Sequence, residues 1–537
     1  MRLAGLVLLT GDVTHAEALL DSGELDAAES LFRDVIACDP EDLSAAKGLA
    51  RTLDIKRRFD DAYDAWEAAL HLAPDDIICQ YALGYAWLRR GDVARSRRIF
   101  ETIRDIHPGF YPAYAMTLLS MFYSDTVSAI EIEEEQKRWG RFYTPPPETV
   151  FDRFSGSKDP ERCLRIGIVS SDFYAHSIGF SLLPLYASLD RTQFSVHSYA
   201  QVRMDDRLTA KFRDLSDGWR DISGMTDLDA ARAIHDDGID ILVFVAGHFD
   251  ENRPFIARYR PAPIQISHHD LCTSAMPEMD YLIGDAVGTP RSGPEYHSER
   301  VLRIPSFTIH PIPAEAPPPA PPPVMESGFV TFGSFNAPQK ITPSVVRVWA
   351  KILQAIPDSR LILKYFDAYN ESATRQRIRG LFDDHGIERG RVDFLPASNA
   401  RAVHLSDYSQ MDLALDPFPF CGTTTTFEAL MMGVPVFALT GDRYGGRSST
   451  ATLLASGLDV CVAESEADYV ARAVELARMP ERLAPLRQAL PGMVKNSRLC
   501  NVDRYVRNFQ RLYRAVWRRW CARQSTDGSD ISHQTGV

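Results

Sequence analysis

The run Cys421-Gly422-Thr423-Thr424-Thr425-Thr426-Phe427-Glu428 places four consecutive hydroxyl side chains directly behind a glycine. Residues 411–416 before it read as a short buried strand, which Pro417 and Pro419 stop. Residues 427–432 after it read as a helix, closed by Gly433 and Pro435. The threonines therefore sit at a strand-to-helix turn. A helix start presents unpaired N–H groups and the positive end of the macrodipole, so it attracts phosphate, and threonine hydroxyls add neutral donors. Thr425 and Glu428 also fit a capping box, in which each side chain satisfies the other's backbone N–H. An ordinary N-cap with surface threonines would use the same residue types. Four of them after a glycine, at the carboxyl end of a strand, point instead to a phosphate-bearing ligand.

The rest of the composition limits what that ligand serves. A net charge of −13 with pI ≈ 5.6 argues against a broad nucleic-acid or anionic-membrane face. The eight cysteines are scattered, with no C-x-x-C and no zinc spacing, which suggests free thiols in a reducing, cytoplasmic setting. No stretch reaches the apolar length of a membrane span. The amino-terminal apolar run 3–9 leads straight into helical sequence without a convincing cleavage site, so no signal peptide is read there.

Pro40, Pro74 and Pro108 lie 34 residues apart, the length of a tetratricopeptide repeat. In that register Gly23, Arg57 and Gly91 share a turn position. Ala28, Ala62 and Ser96 share a small contact position, and Phe32, Trp66 and Phe100 a large apolar one. A degenerate fourth unit follows, with 111–123 as its first helix and 130–141 as its second. Each such helix pair buries its face only by stacking on the next. The array can serve as a protein-binding groove, a means of oligomerisation, or a rigid spacer.

From residue 164 the pattern changes to strands alternating with helices, which implies parallel α/β sheets. Strands are predicted at 164–170, 194–199, 239–245, 264–266 and 281–283, with helices at 178–189 and 227–237. A proline-rich stretch over 311–323 reads as a stiff polyproline II connector. A second alternation follows, with strands at 329–332, 360–364, 392–394, 413–415 and 435–439 and a helix at 344–355. Residues 502–519 read as one amphipathic helix rich in aromatics and arginine. The predicted organisation is a repeat domain over 1–142, a linker over 143–160, one α/β lobe over 161–312, a proline-rich linker over 313–326, a second lobe over 327–524, and an unstructured tail over 525–537.

Taken in order, the motifs resemble a known family. The repeats are followed by S-D-F-x-x-H (Ser171 to His176), R-P-A-P-I-Q (Arg260 to Gln265) and P-E-M-D-Y (Pro277 to Tyr281). Then come F-N-x-x-x-K (Phe335 to Lys340), His404-Leu405, L-D-P-F-P (Leu415 to Pro419), G-T-T-T-T-x-E-A-L and M-G-V-P (Met432 to Pro435). Together they resemble glycosyltransferase family 41, which holds the protein O-GlcNAc transferases and the SPINDLY-type protein O-fucosyltransferases. The resemblance implies an α-helical TPR solenoid followed by an α/β glycosyltransferase-B fold with two Rossmann-like domains. It implies inverting, metal-independent transfer of a sugar, by default GlcNAc from UDP-GlcNAc, to Ser/Thr of protein acceptors, with no cofactor beyond the nucleotide-sugar donor.

Carried over residue by residue, His176 matches a histidine near the reacting sugar, and Lys340 the lysine that steadies the leaving diphosphate. His404 matches a histidine at the nucleotide. Gly422, Thr423, Thr424 and Thr425 match the diphosphate turn, Glu428 an acidic residue on the ribose, and Asn336 a further donor-binding residue. The chemistry suits these roles. Cleaving a sugar–diphosphate bond places negative charge on the leaving oxygen, which an ammonium group, hydroxyls and helix-start N–H groups can stabilise. An imidazole can accept the acceptor's proton near neutral pH.

Three departures from the family pattern stand out. Residues 267–274 (Ser-His-His-Asp-Leu-Cys-Thr-Ser) replace a glycine-rich loop, Phe244 stands where bacterial members carry aspartate, and Thr423 stands where O-GlcNAc transferases carry histidine. The last brings the turn closer to SPINDLY and makes GDP-fucose the rival donor. The altered loop motivates a second class of reading, a catalytically silent adaptor that binds partners through its repeats. Transfer to a small molecule or polysaccharide, with the repeats ordering oligomers, is a third. His268, His269 and Asp270 are not read as metal ligands, because adjacent side chains rarely face one ion.

Overall fold

The computed structural model describes residues 2–530 other than 155, 250, 271, 294, 314 and 399. The described chain forms two compact units. One joins the residues up to Thr126 with Phe329–Ala400; the other joins Val127–Gly328 with the residues from Arg401 onward.

In the first unit, α1 (Arg2–Asp21), α2 (Leu25–Cys38), α3 (Leu43–Ile55), α4 (Phe59–Leu72), α5 (Ile77–Arg90), α6 (Val93–Ile106) and α7 (Tyr111–Tyr123) run as successive helix pairs. The predicted contact positions are buried: Ala28, Ala62 and Ser96 are 0% exposed, as are Phe32 and Phe100. Gly48 on α3 leaves room for the Phe32 ring, and Gly84 on α5 does the same for Phe100. Asp42, Asp76 and Asp92 cap α3, α5 and α6 by accepting backbone N–H groups, a contribution of roughly 1 kcal/mol each. Gly23, Arg57 and Gly91 all adopt positive φ at the equivalent turn.

The same unit contains three parallel strands, β8 (Thr331–Ser334), β9 (Arg360–Leu363) and β10 (Val392–Phe394), in the order β10-β9-β8. The repeats are fastened to this region. Arg90 Nε donates to Glu371 Oε1 at 3.3 Å, Arg57 Nη1 to Asp367 Oδ2 at 2.9 Å, and the Ser372 N–H to Asp60 Oδ2 at 2.9 Å. Gly91 closes α5 in the left-handed region (φ +85°), and a Cβ there would lie 2.5 Å from the Pro338 carbonyl oxygen.

In the second unit, α8 (Ala129–Gly140) precedes a parallel sheet. Among the described residues that sheet has seven strands: β1 (Leu164–Ser170), β2 (Phe194–Ala200), β3 (Gly218–Asp221), β4 (Ile241–Val245), β5 (Ile264–His268), β6 (Tyr281–Gly284) and β7 (Arg300–Arg303). Their order is β3-β2-β1-β4-β5-β6-β7. The central strands are apolar runs buried on both faces, as parallel strands covered by helices must be. The unit also holds β11 (Leu413–Leu415), β12 (Val436–Leu439) and β13 (Val462–Ala463), paired in that order.

Three boundaries differ from the sequence expectation. The second helix of the fourth repeat, α8, belongs with the first α/β lobe and not with the repeats at 1–142. Its Trp139 is 1% exposed and packs on His248 and Phe255 with ring centroids 4.8 and 5.0 Å away, and Gly140 abuts Ala275. The carboxy-terminal helix Val502–Asp530 packs on the first sheet, not within the second lobe at 327–524. Its Tyr505, Phe509, Tyr513, Val516 and Trp517 share a core with Leu164, Phe194 and Ile264. That helix also runs to Asp530, into the expected tail, because extending a helix costs far less than starting one; residues 531–537 lie outside the described residues. The proline-rich connector carries one short helix, Val324–Ser327, and Arg487 Nε fastens it by donating to the Ala320 carbonyl.

Candidate active site

The threonine turn begins where β11 ends. Asp416, buried to 2% exposure, accepts the Gly422 N–H at 2.9 Å through Oδ1. A Cβ on Gly422 would lie 2.7 Å from Asp416 Oδ1, Thr425 Oγ1 and Thr426 Oγ1, so only glycine fits the turn. The helix then runs Thr424–Met431 with Thr423 as its N-cap.

The four threonines divide by role. Thr426 is 2% exposed, and its hydroxyl meets Ser449 Oγ at 2.7 Å and Asp416 Oδ1 at 3.4 Å, so it pins the turn. Thr423, Thr424 and Thr425 remain partly exposed at the helix start. Thr423 also lines a small pocket with Asp285, Ser306, Thr308, Ser448 and Arg498. The expected capping box between Thr425 and Glu428 does not form. The helix starts two residues earlier than that box requires, with no side-chain cap, and the Glu428 carboxylate turns elsewhere.

Glu428, 7% exposed, is instead the hub of a polar cluster. Its Oε2 faces His404 Nε2 at 3.2 Å and accepts the Tyr408 hydroxyl at 3.4 Å, while Arg401 Nη2 stands 3.6 Å from Oε1. Burial and the adjacent Glu428 charge push the Tyr408 phenol well above its usual range, which keeps it a donor. Arg401 and Tyr408 escaped the sequence reading. Their spacing, with His404 three residues after Arg401 and four before Tyr408, is the helical-face pattern that could have disclosed them. His310 stacks on Phe427 of the same helix at 4.5 Å, and burial lowers its imidazole to about 4.

His176 caps the helix Ser177–Ser188 at the carboxyl end of β1, with Nδ1 3.2 Å from Asp172 Oδ1 and its ring stacked on Tyr174. Asp172 is 0% exposed and receives Asn252 Nδ2 at 3.2 Å. Asp172 lies in the S-D-F-x-x-H motif but was given no role of its own, and Asn252 was not singled out, because their pairing is a contact across 80 residues.

The altered loop replaces glycines with side chains that find partners outside it. His268 Nε2 lies 2.9 Å from the Phe307 carbonyl oxygen, and His269, at φ +55°, meets Ser181 Oγ at 3.2 Å. Asp270 Oδ1 meets His248 Nδ1 at 2.8 Å, and Cys272 Sγ lies 3.9 Å from His248 Nε2. Burial opposes charge on His248, but the Asp270 carboxylate outweighs it and holds the imidazole protonated well above the usual value. Thr273 and Ser274 both donate to Glu299 at 2.5 Å. The three consecutive polar side chains thus face three separate partners, and Leu271 lies outside the described residues.

Lys340 and Asn336 stand in the other compact unit. Asn336 follows β8, donates to Ser334 Oγ at 3.2 Å, and accepts the Tyr369 hydroxyl at its carbonyl. Lys340 ends the single turn Pro338–Lys340, half-buried, just before the helix Pro343–Ala355 that Thr342 caps. The helix start next to an ammonium group suits an anion. Of the expected site residues, His176, His404, Glu428 and the threonine turn lie in one unit, and His404 and Glu428 meet directly.

The chain matches the family model for glycosyl transferase family 41 over residues 149–309 and 324–509, and that for a tetratricopeptide repeat over 13–77 and 56–109. It is 38% identical over 412 residues to a tomato (Solanum lycopersicum) protein named probable UDP-N-acetylglucosamine–peptide N-acetylglucosaminyltransferase SPINDLY, covering 75% of this chain and 44% of that one. It is 28% identical over 375 residues to an Arabidopsis thaliana protein named probable UDP-N-acetylglucosamine–peptide N-acetylglucosaminyltransferase SEC, covering 67% of this chain and 38% of the other. The chain thus spans less than half the length of these relatives. Among solved structures, an O-GlcNAc transferase from Thermobaculum terrenum superposes with TM-score 0.89 at 30% identity, covering 97% of this chain and 99% of that one. The architecture is therefore a TPR array followed by a glycosyltransferase-B fold.

Proposed function

The chain belongs to glycosyltransferase family 41, and from that premise we propose that it transfers a sugar from a nucleotide-diphosphate donor to Ser or Thr hydroxyls of protein acceptors. The default donor is UDP-GlcNAc, and the transfer inverts the anomeric configuration without a metal. The observation that carries this reading is the threonine turn. A buried aspartate and a fourth threonine fix its shape, and Thr423, Thr424 and Thr425 are partly exposed at a helix start. Such a turn is built to hold an anion that arrives from outside.

In the proposed reaction the acceptor oxygen attacks the anomeric carbon and the bond to the diphosphate oxygen breaks. His176 takes the hydroxyl proton, and Lys340 with the threonine hydroxyls stabilises the departing diphosphate. Glu428, held by His404, Tyr408 and Arg401, offers its carboxylate to ribose hydroxyls, and Asn336 binds the donor as well. A protein acceptor is recruited along the repeats, whose groove is lined by Tyr63, Glu67, Trp87, Arg95 and Arg98. All eight cysteines are free, which suits a cytoplasmic enzyme. Among the described residues no helix is long and apolar enough to cross a membrane.

Protein O-fucosylation from GDP-fucose is the second reading, favoured by Thr423 at the first hydroxyl position of the turn. Incubating the purified chain with radiolabelled UDP-GlcNAc, GDP-fucose or UDP-glucose and acceptor lysate separates the two by the label that enters protein. Label in protein from one donor, lost in Lys340→Ala, is the expected result. Nucleotide binding by calorimetry with no transfer or hydrolysis from any donor would support the silent adaptor instead.

A further inference from the structure

Asp172 is wholly excluded from solvent, and a buried carboxylate is tolerated only with partners. Its Oδ2 receives Asn252 Nδ2 at 3.2 Å and lies 3.4 Å from Ser170 Oγ. Its own N–H donates to Ser170 Oγ at 3.0 Å. Asn252 is held in turn, accepting the Ser171 N–H at 2.7 Å and donating to the Phe249 carbonyl at 3.1 Å. These bonds tie the turn after β1 to the loop after β4 and aim Oδ1 in one direction.

That direction is His176. Its Nδ1 lies 3.2 Å from Asp172 Oδ1, an ion-pair contact whose angles fall outside hydrogen-bond geometry, and both atoms are buried although the His176 side chain is 33% exposed. The exposed part of the side chain therefore lies away from Nδ1. Tyr174 stacks on the ring at 5.6 Å, and Asp206 Oδ2 accepts the N–H of the preceding Ala175 at 2.8 Å.

We propose that Asp172, clamped by Asn252, is a positioning residue that holds neutral His176 as the Nδ1–H tautomer and so presents Nε2 as the proton acceptor for the transfer. This rests on the transferase reading of His176. The acceptor hydroxyl proton moves to Nε2 as its oxygen bonds the anomeric carbon and the diphosphate leaves with its bonding electron pair. The Nδ1 proton stays in place, and Asp172 remains ionised beside the imidazolium.

Nitrogen-15 spectra of the full chain labelled at histidine test the tautomer directly, with the His176 signals assigned by their loss in His176→Gln. The wild type, measured where His176 is neutral, is expected to show Nδ1 protonated. In Asp172→Asn the Nε2–H form should gain, and turnover should fall at least about tenfold with the donor KM unchanged. Asn252→Ala should move both readouts the same way by less. A neutral wild-type His176 protonated at Nε2 overturns the proposal, whether or not Asp172→Asn folds. So does an Asp172→Asn protein that keeps both tautomer and turnover. A wild type that shows the Nδ1–H form but transfers no sugar would defeat the transferase reading and leave the pair's geometry standing.

Discussion

Four identical side chains in a row carry two different jobs, and mutation should separate them. Thr424→Val removes the hydroxyl of a partly exposed residue and should weaken UDP binding by roughly 1 kcal/mol, about fivefold in Kd by calorimetry, with the melting temperature unchanged. Thr426→Val instead strips a buried partner from Ser449 and Asp416, and should destabilise the fold by about 1–3 kcal/mol in urea titration. The residue types of the candidate site were readable from the chain: the glycine before the threonines, the glutamate after them, the two histidines. What surrounds them was not. Glu428 looked like the far half of a capping box because spacing alone cannot tell which of several nearby donors a carboxylate will choose. The choice went to His404, Tyr408 and Arg401.

Among the elements, the buried strands were found because a parallel strand covered on both faces is a continuous apolar run. The short edge strands β3, β7 and β13 were missed. Gly-Trp-Arg-Asp and Arg-Val-Leu-Arg carry no such run, since an edge is partly wet. The periodicity of the carboxy-terminal helix announced an apolar stripe but not which sheet would receive it. The repeat register, set by prolines, predicted the helix pairs closely, yet gave no hint that Gly91 seats against Pro338. Two glycines now separate backbone strain from that contact. Gly23 and Gly91 share nearly the same positive φ, +82° and +85°, but a Cβ at Gly23 meets nothing within 4 Å. Gly23→Ala should therefore cost only the strain, about 1–2 kcal/mol in a thermal melt. Gly91→Ala should cost more, and should also lower sugar transfer, because the contact leads to the turn that carries Lys340.

For the whole molecule, buried imidazoles set the acid limit. His268 and His310 are each lowered by burial to about 4 from the ordinary 6.5. The unfolded chain takes up these protons as pH falls through 6.5, while the native chain resists until about 4. Their contribution to stability is thus complete above 6.5, erodes between the two values, and is gone below the lower one. The denaturant midpoint should drop steeply across that window, and His310→Phe, which keeps the stack on Phe427, should flatten the drop. The seat of Gly91 on Pro338 bears on how such a chain can be re-engineered. A chimera that exchanged the array for repeats of another specificity would have to preserve the third turn as a graft junction, or the imported module would arrive with the lysine loop out of register.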